Sequence, residues 1–480
     1  MPCSYQLLID GEWREALGGR SWDVINPSTQ EIVRTMPFGD ARDCRAAIEA
    51  AARAFPAWSQ STPYHRAAIL KNAATRIREQ TNALAQVTVR ESGKPLREAR
   101  GEWLGTAELY EWYAEECKRV YGHTIPSRKP DRRFVVMHQP IGVVGTITAW
   151  NFPAYNPSRS WAAALAAGCT VVGRPSEQTP LSAMELGAIL LEAGLPKGVL
   201  NVIHGDPPSM ATEMLDHPAL RKISFTGSSR VGRLLMDGAS RTHTKLALEL
   251  GGNAPVIILP DADVKALAPR AVATKFLNAG QVCVAPQRFL VHEQIRNEFV
   301  ELASSSAALI RVGDGLDEST QLGPMIREDQ RSRLEDLVDD ARAGGARVRV
   351  GGKRPAHLSR GWFFEPTLID GLTPEHRLFR EEAFGPVLPV GSFNHLQEAI
   401  TLANQTPHGL AAYVFTSDIR AAWRAAEQLE FGMVGINEWF PHGVEAPFHG
   451  WKQSGQGSES GAEGLHEYLE TKVVAFGGIT

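Results

Sequence analysis

Residues 141–180 read IGVVGTITAW NFPAYNPSRS WAAALAAGCT VVGRPSEQTP, and their pattern decides the fold. The opening IGVVGTIT is a short run of β-branched and small apolar residues, which predicts a strand. PSRSWAAALAAG follows as a helix with Pro157 at its start and Gly168 at its end, where a fixed φ and a left-handed cap are best tolerated. CTVVG is the next strand, PLSAMELGAILLEAG a helix and LNVIHG a strand. KISFTG, SRVGRLLMDGAS and KLALELG continue as strand, helix and strand. Alternation of this kind predicts a parallel sheet with helices on both faces.

A second alternating series runs from APVIILP to about residue 440 and predicts a second α/β domain. Residues 41–120 read as helices, with Asp40 as an N-cap and Cys44, Ala47, Ile48 and Ala51 along one face. Between these regions, residues 121–140 predict a projecting hairpin, and the tail LHEYLETKVVAFGGI ends in another strand. Two strands projecting from distant parts of a chain fit a subunit interface or a pairing within one chain, and both readings stay open.

The bulk composition narrows the class. A chain of 480 residues, 43% hydrophobic and 22% charged, suits a globular enzyme of two or three domains. A net charge of −4 gives no electrostatic reason to expect nucleic acid or an anionic membrane as partner. Cys3, Cys44, Cys117, Cys169 and Cys283 form no CxxC pair, so neither a disulfide framework nor a metal site is indicated. The N-terminus lacks a basic region followed by an apolar run, and WAAALAAGCTVVG is too short to span a bilayer. The expectation is a cytoplasmic protein.

The chemistry gathers at strand ends. NAGQVCVAPQR, residues 278–288, sets Cys283 between Gly280 and Pro286, either as an inert core thiol or as a nucleophile. Glu249 closes the strand in LELGG, and Asn151 in TAWNFP follows the strand IGVVGTIT. Open α/β sheets bind ligands beyond such ends, and a thiol, a carboxylate and an amide there suit acyl chemistry on a carbonyl. In FTGSSRVG a strand ends at Gly227 and a helix begins at Ser228, which aims backbone N–H groups at an anion. SGQGSESG, residues 454–461, lacks the spacing and the βαβ context of a dinucleotide fingerprint and reads as a loop.

TAWNFP, RPSEQTP, FTGS, LELGG, GQVC, EEAFGPV and APFHGWKQSG occur in that order. They resemble the motif set of the NAD(P)-dependent aldehyde dehydrogenase superfamily, nearest to its succinate-semialdehyde dehydrogenase-like members, from about residue 7 to 475. The resemblance implies two parallel-sheet α/β domains and a small β element. The Rossmann-like NAD-binding domain would be residues 1–120 and 141–251, and the catalytic domain residues 252–450. Residues 121–140 and 465–480 would form the oligomerisation element of a homodimer or homotetramer.

The resemblance also implies a mechanism. Cys283 would add to an aldehyde as a thiolate, and the oxyanion, held by the Asn151 amide and the Cys283 N–H, would drive hydride to the nicotinamide. Glu249 would activate the water that cleaves the thioester, which favours release of the free acid over transfer to coenzyme A. Glu177, with Arg174 and Ser176 in the same motif, would meet the adenosine ribose; its carboxylate favours NAD, while arginine in place of a usual lysine leaves NADP open. Gly227 and Ser228 would lie by the pyrophosphate, Glu382 and Phe384 by the nicotinamide ribose and ring, and Trp150 near the cofactor.

For substrate, Arg159 matches an arginine that binds a distal carboxylate, against the alternative of a helix-surface salt bridge. A second such arginine is replaced by Leu277. Trp439, Phe440 and His442 are candidate pocket walls, and His449 and Ser458 replace a usual glycine and arginine. The expected substrate is a semialdehyde or another anionic aldehyde, with neutral aliphatic or aromatic aldehydes as the alternative. From other classes, a cysteine esterase or acyltransferase and a non-catalytic structural member are the rivals.

Overall fold

A computed structural model describes residues 5–479, so Cys3 lies outside the described residues. The strands Val143–Ile147, Thr170–Arg174, Leu200–Val202, Leu220–Thr226 and Lys245–Glu249 form the parallel centre of one sheet. Val143–Ile147 is buried at every position, which is why its sequence runs apolar instead of alternating. The chain adds Thr170–Arg174 and Leu200–Val202 on one side of that strand, then returns to lay Leu220–Thr226 on the other. Reversal of strand order opens a crevice beyond the carboxyl ends at this point.

The helix Tyr155–Ala167 covers the sheet and begins two residues before Pro157, which sits in the first turn where its missing N–H costs no intrahelical bond. Gly168 ends it at φ 97°. Trp161 ties helix to strand by donating its Nε1 proton to Thr146 Oγ1 at 2.7 Å. Truncating so large a buried side chain typically costs about 3–5 kcal/mol. Residues 41–120 form the helices Ala41–Ser59, Pro63–Ser92 and Leu96–Glu116, and Asp40 caps the first through a reciprocal pair of bonds with Asp43.

Short strands complete the first sheet. Leu7–Ile9 pairs antiparallel with Leu200–Val202, and Glu12–Arg14 lies beyond it. At the opposite edge Gly455–Gln456 pairs antiparallel with Leu248 and Glu249. This corrects the reading of residues 454–461 as a loop: two of them extend the sheet beside Glu249, in a strand too short to show a period.

The second series forms a seven-stranded sheet. Its order is Arg347–Val350, Thr367–Asp370, Val387–Phe393, Pro286–His292, Ala254–Ile258, Ala411–Phe415 and Met433–Ile436, parallel except for the first pair. His123–Pro126, Arg133–Pro140 and Leu469–Phe476 make a separate antiparallel sheet with Arg133–Pro140 in the middle. The two projecting strands thus pair within the chain. Among the described residues no helix is long and apolar enough to cross a membrane.

Candidate active site

Two cavities meet at Cys283 and Asn156, which line both. A cleft of about 590 Å³ is bordered by Trp150, Asn151, Gly227, Ser228, Glu249, Glu382 and Phe384. A cavity of about 430 Å³ is bordered by Arg159, Leu277, Trp439, Phe440 and His442, with Phe152, Tyr155, Tyr413 and Phe448 as further aromatic wall.

The backbone before the thiol is unusual. Asn278, Ala279 and Gly280 are successive left-handed residues at φ 49°, 55° and 72°. Left-handed backbone at a non-glycine residue costs on the order of 1 kcal/mol, so neighbouring bonds must hold it. Asn278 donates its N–H to Glu98 Oε2 at 2.8 Å and its Nδ2 to the Asn151 carbonyl at 2.9 Å. Gln281 donates to the Asn278 carbonyl at 3.1 Å and accepts the Ile326 N–H at 2.9 Å. At Gly280 a Cβ would lie 2.1 Å from the Gly385 carbonyl oxygen, so no other residue fits this turn.

Desolvation pushes the half-buried Cys283 thiol up to about 12; Arg159 opposes the rise, and Glu249 and Glu382 add to it. The resting thiol is therefore protonated near neutral pH. Glu249 is buried, and its carboxyl is raised well above the usual range, first by desolvation and then by the charge of Glu459, with Arg159 opposing. Its Oε2 has no hydrogen-bond partner among the described residues. Such a carboxyl holds its proton more readily than a solvated one does.

Asn151 is fixed from both ends. Its carbonyl accepts from Lys94 Nζ at 2.9 Å, and Lys94 is itself paired with the buried Glu102 at 2.5 Å. Its side-chain Nδ2 donates to the Gln281 carbonyl at 3.1 Å, while its Oδ1 accepts from Asn156 Nδ2 at 3.0 Å.

Arg159 is buried, not on a helix surface. Its Nε lies 2.9 Å from Glu459 Oε2, its Nη2 donates to Asn156 Oδ1 at 3.1 Å, and its guanidinium stands 4.4 Å over the Phe448 ring. The salt-bridge alternative is thus correct in the bond but wrong in the place, and Arg159 lines the cavity all the same. Leu277 makes an apolar patch of the same wall. Burial, reinforced by Arg159, pushes His442 down to about 4, so it is a neutral imidazole there. Trp439 packs against Phe415 with ring centroids 4.3 Å apart.

His449 does not border either cavity. Ser458 donates its N–H to Glu467, which pairs with Lys222 at 2.5 Å and ties the C-terminal segment to the first sheet.

The cleft has features that fit a dinucleotide. Ser228 caps the helix Ser229–Ala239 through the Val231 N–H, and borders the cleft. Backbone N–H groups and the helix dipole there suit a diphosphate. Glu382 Oε1 is buried with no partner among the described residues, its carboxyl raised to about 8 by burial. An unsatisfied carboxyl of this kind suits ribose hydroxyls. A Cβ on Gly251 would lie 2.6 Å from Glu382 Oε2, so glycine keeps this cradle open. Phe384, at φ 48°, meets Trp150 edge to face at 5.6 Å.

Arg174, Ser176 and Glu177 are not part of that lining. They gather at the end of the neighbouring parallel strand, where Arg174 Nη2 lies 2.7 Å from Glu177 Oε2 and donates to the Gly205 carbonyl at 3.0 Å. Burial raises the Glu177 carboxyl, but the Arg174 charge together with hydrogen bonds from Arg174, Gln178 and its own backbone N–H holds it below the usual range. Ser176 Oγ accepts the Gln178 N–H at 3.3 Å.

Asn156, Glu459, Lys94 and Glu98 belong to the site and are missing from the reading of the sequence. Asn156 and Arg159 leave one signal: they stand three apart in a helix whose residues from Asn156 onward are all buried. Buried polar side chains demand partners.

The sequence matches the aldehyde dehydrogenase family over residues 13–474. It is 43% identical over 472 residues to the NADP(+) succinate-semialdehyde dehydrogenase GabD of Escherichia coli strain K12, covering 98% of each chain. It is 42% identical to 3-sulfolactaldehyde dehydrogenase of Pseudomonas putida, covering 99% of this chain and 97% of that one. The crystal structure of betaine aldehyde dehydrogenase from Staphylococcus aureus in complex with NAD+ matches with a TM-score of 0.97 at 39% identity, covering 100% of this chain and 96% of that one. The chain belongs to the aldehyde dehydrogenase family.

Proposed function

We propose that this protein oxidises an aldehyde to its carboxylic acid with NAD, through a thioester on Cys283, and that its preferred aldehydes carry an anionic group. The observation that carries this is the position of Cys283 at the junction of the cleft bordered by Ser228 and Glu382 and an aromatic-walled cavity. Ser228, Glu382 and Phe384 would hold NAD in the cleft, where it would supply the hydride acceptor for oxidation of the hemithioacetal to the thioester. Cys283 must first lose its proton, and Glu249 is the nearby base. The thiolate adds to the carbonyl, and the new oxyanion is held by Asn151 Nδ2 and the Cys283 N–H; losing one such donor typically lowers the rate by ~10²–10³. Glu249, having passed the thiol proton to solvent, then takes a proton from the water that attacks the thioester; the C–S bond breaks, the Cys283 thiolate returns and the acid leaves.

NAD is favoured over NADP because the Glu177 carboxylate would oppose a 2′-phosphate. The names of two relatives, a succinate-semialdehyde and a 3-sulfolactaldehyde dehydrogenase, support an anionic substrate, as do Arg97 and Arg159 at the cavity. A neutral aromatic or aliphatic aldehyde is the second reading, favoured by the pairing of Arg159 with Glu459. The exposed Val473 and Phe476 on Leu469–Phe476 support assembly of a homodimer or homotetramer through that sheet. The free thiols of Cys44, Cys117, Cys169 and Cys283 suit a reducing cytoplasm.

The test is NADH formation over a panel pairing acid-bearing aldehydes with neutral ones of equal size. Acid-bearing members should lead by about tenfold or more in kcat/KM, about 1.4 kcal/mol; a lead for the neutral members supports the second reading. Cys283→Ala should abolish NADH formation while NAD still binds, and retained turnover overturns the mechanism.

A further inference from the structure

We propose that Arg159, acting through Asn156, sets which end of the Asn151 amide faces the substrate oxygen, so that Asn156 is a positioning residue for the reaction. This rests on the reading of Asn151 as an oxyanion donor.

A side-chain amide is nearly symmetric in shape, so rotating it by half a turn exchanges oxygen and nitrogen with little steric change. Only its hydrogen-bond partners decide between the two orientations. For Asn151 the wrong choice would aim a carbonyl oxygen at a developing negative charge.

The guanidinium, with donors and no acceptor, removes the ambiguity from one side, as the acceptor-only Gln281 carbonyl does from the other. Arg159 Nη2 can bond to Asn156 only through Oδ1, at 3.1 Å. That turns Asn156 Nδ2 toward Asn151, where it donates to Oδ1 at 3.0 Å. Asn151 Nδ2 must then point the other way, where one of its protons goes to the Gln281 carbonyl at 3.1 Å. An amide nitrogen carries two protons, so a second is left for the oxyanion. Asn151, Asn156 and Arg159 are 5%, 4% and 3% exposed, so the links between them are shielded from bulk water. Glu459, 2.9 Å from Arg159 Nε, anchors the far end.

The experiment uses the full-length protein with Asn156→Leu and Asn156→Asp, and Asn151→Ala for reference. NADH formation is measured beside hydrolysis of p-nitrophenyl acetate, an activated ester that would acylate Cys283 without cofactor. Asn156→Leu should lower kcat by about tenfold or more in both assays, part of the ~10²–10³ for losing a donor, with KM for the aldehyde changed less than about threefold. Asn156→Asp should do the same, since a carboxylate accepts from Arg159 but has no proton to give Asn151 Oδ1. If Asn156→Leu does not fold, the isosteric Asn156→Asp decides alone.

Wild-type kcat in the Asn156 variants alongside a crippled Asn151→Ala overturns the positioning role and leaves the oxyanion reading standing. A raised KM or a lowered melting temperature with unchanged kcat also overturns it. Full activity in Asn151→Ala overturns the oxyanion reading itself.

Discussion

Arg174 Nη2 lies 2.7 Å from Glu177 Oε2, with 5% of the arginine side chain and 22% of the glutamate exposed. The pair masks a guanidinium that would otherwise be ready for a phosphate, and Arg174 Nε is buried with no partner among the described residues. Glu177→Gln removes the opposing charge and leaves the arginine in need of an anion. The ratio of kcat/KM for NADP to that for NAD should rise by about tenfold or more, about 1.4 kcal/mol. An unchanged ratio, measured with both cofactors on one aldehyde, would show that Arg174 does not meet the adenosine ribose.

The Lys94–Glu102 pair couples stability to the same site. Both side chains are almost wholly buried. Glu102 Oε1 also accepts the N–H groups of Ala154 and Tyr155, while Lys94 holds the Asn151 carbonyl and stands 4.1 Å over the Phe152 ring. Lys94→Met leaves the carboxylate buried without its cation, which typically costs about 3–5 kcal/mol. Chemical denaturation should show that loss, and adding Glu102→Gln should recover part of it. An unmoved midpoint in Lys94→Met would contradict the buried pairing.

The alternating elements were legible because parallel strands buried on both faces write themselves as apolar runs, as Val143–Ile147 does. Cys283, Glu249 and Asn151 were legible through ordered motifs, each at a strand end or in the turn before a strand. Gly455–Gln456 and Leu7–Ile9 were not, since two or three residues cannot display a period. Glu459 was hidden for another reason. Its importance comes from Arg159, which lies far away in the chain and meets it only in the folded structure. Asn156 likewise gains its meaning from Arg159 on one side and Asn151 on the other. The candidate site's thiol, carboxylate and amide stand in local features of sequence, while the contacts around them are products of the fold.

His204 makes stability depend on pH near the cofactor end of the first sheet. It is fully buried, its Nδ1 is 3.0 Å from the Pro37 carbonyl, and Phe38 meets its ring edge to face at 5.3 Å. Burial holds the imidazole down at about 4, with the Pro37 bond opposing and Arg174 adding to the fall. In the unfolded chain histidine takes its proton near 6.5. Above that pH both states are neutral and the contribution of His204 is complete. As pH falls from about 6.5 toward 4 the unfolded chain binds a proton that the folded one refuses, so stability declines through this window and levels off below it. The full swing is on the order of 3 kcal/mol. Urea midpoints should therefore drop between about pH 7 and pH 5 in the wild type, and the drop should be shallower in His204→Gln, whatever its stability at neutral pH. Equal slopes in the two proteins would assign the acid sensitivity to other groups.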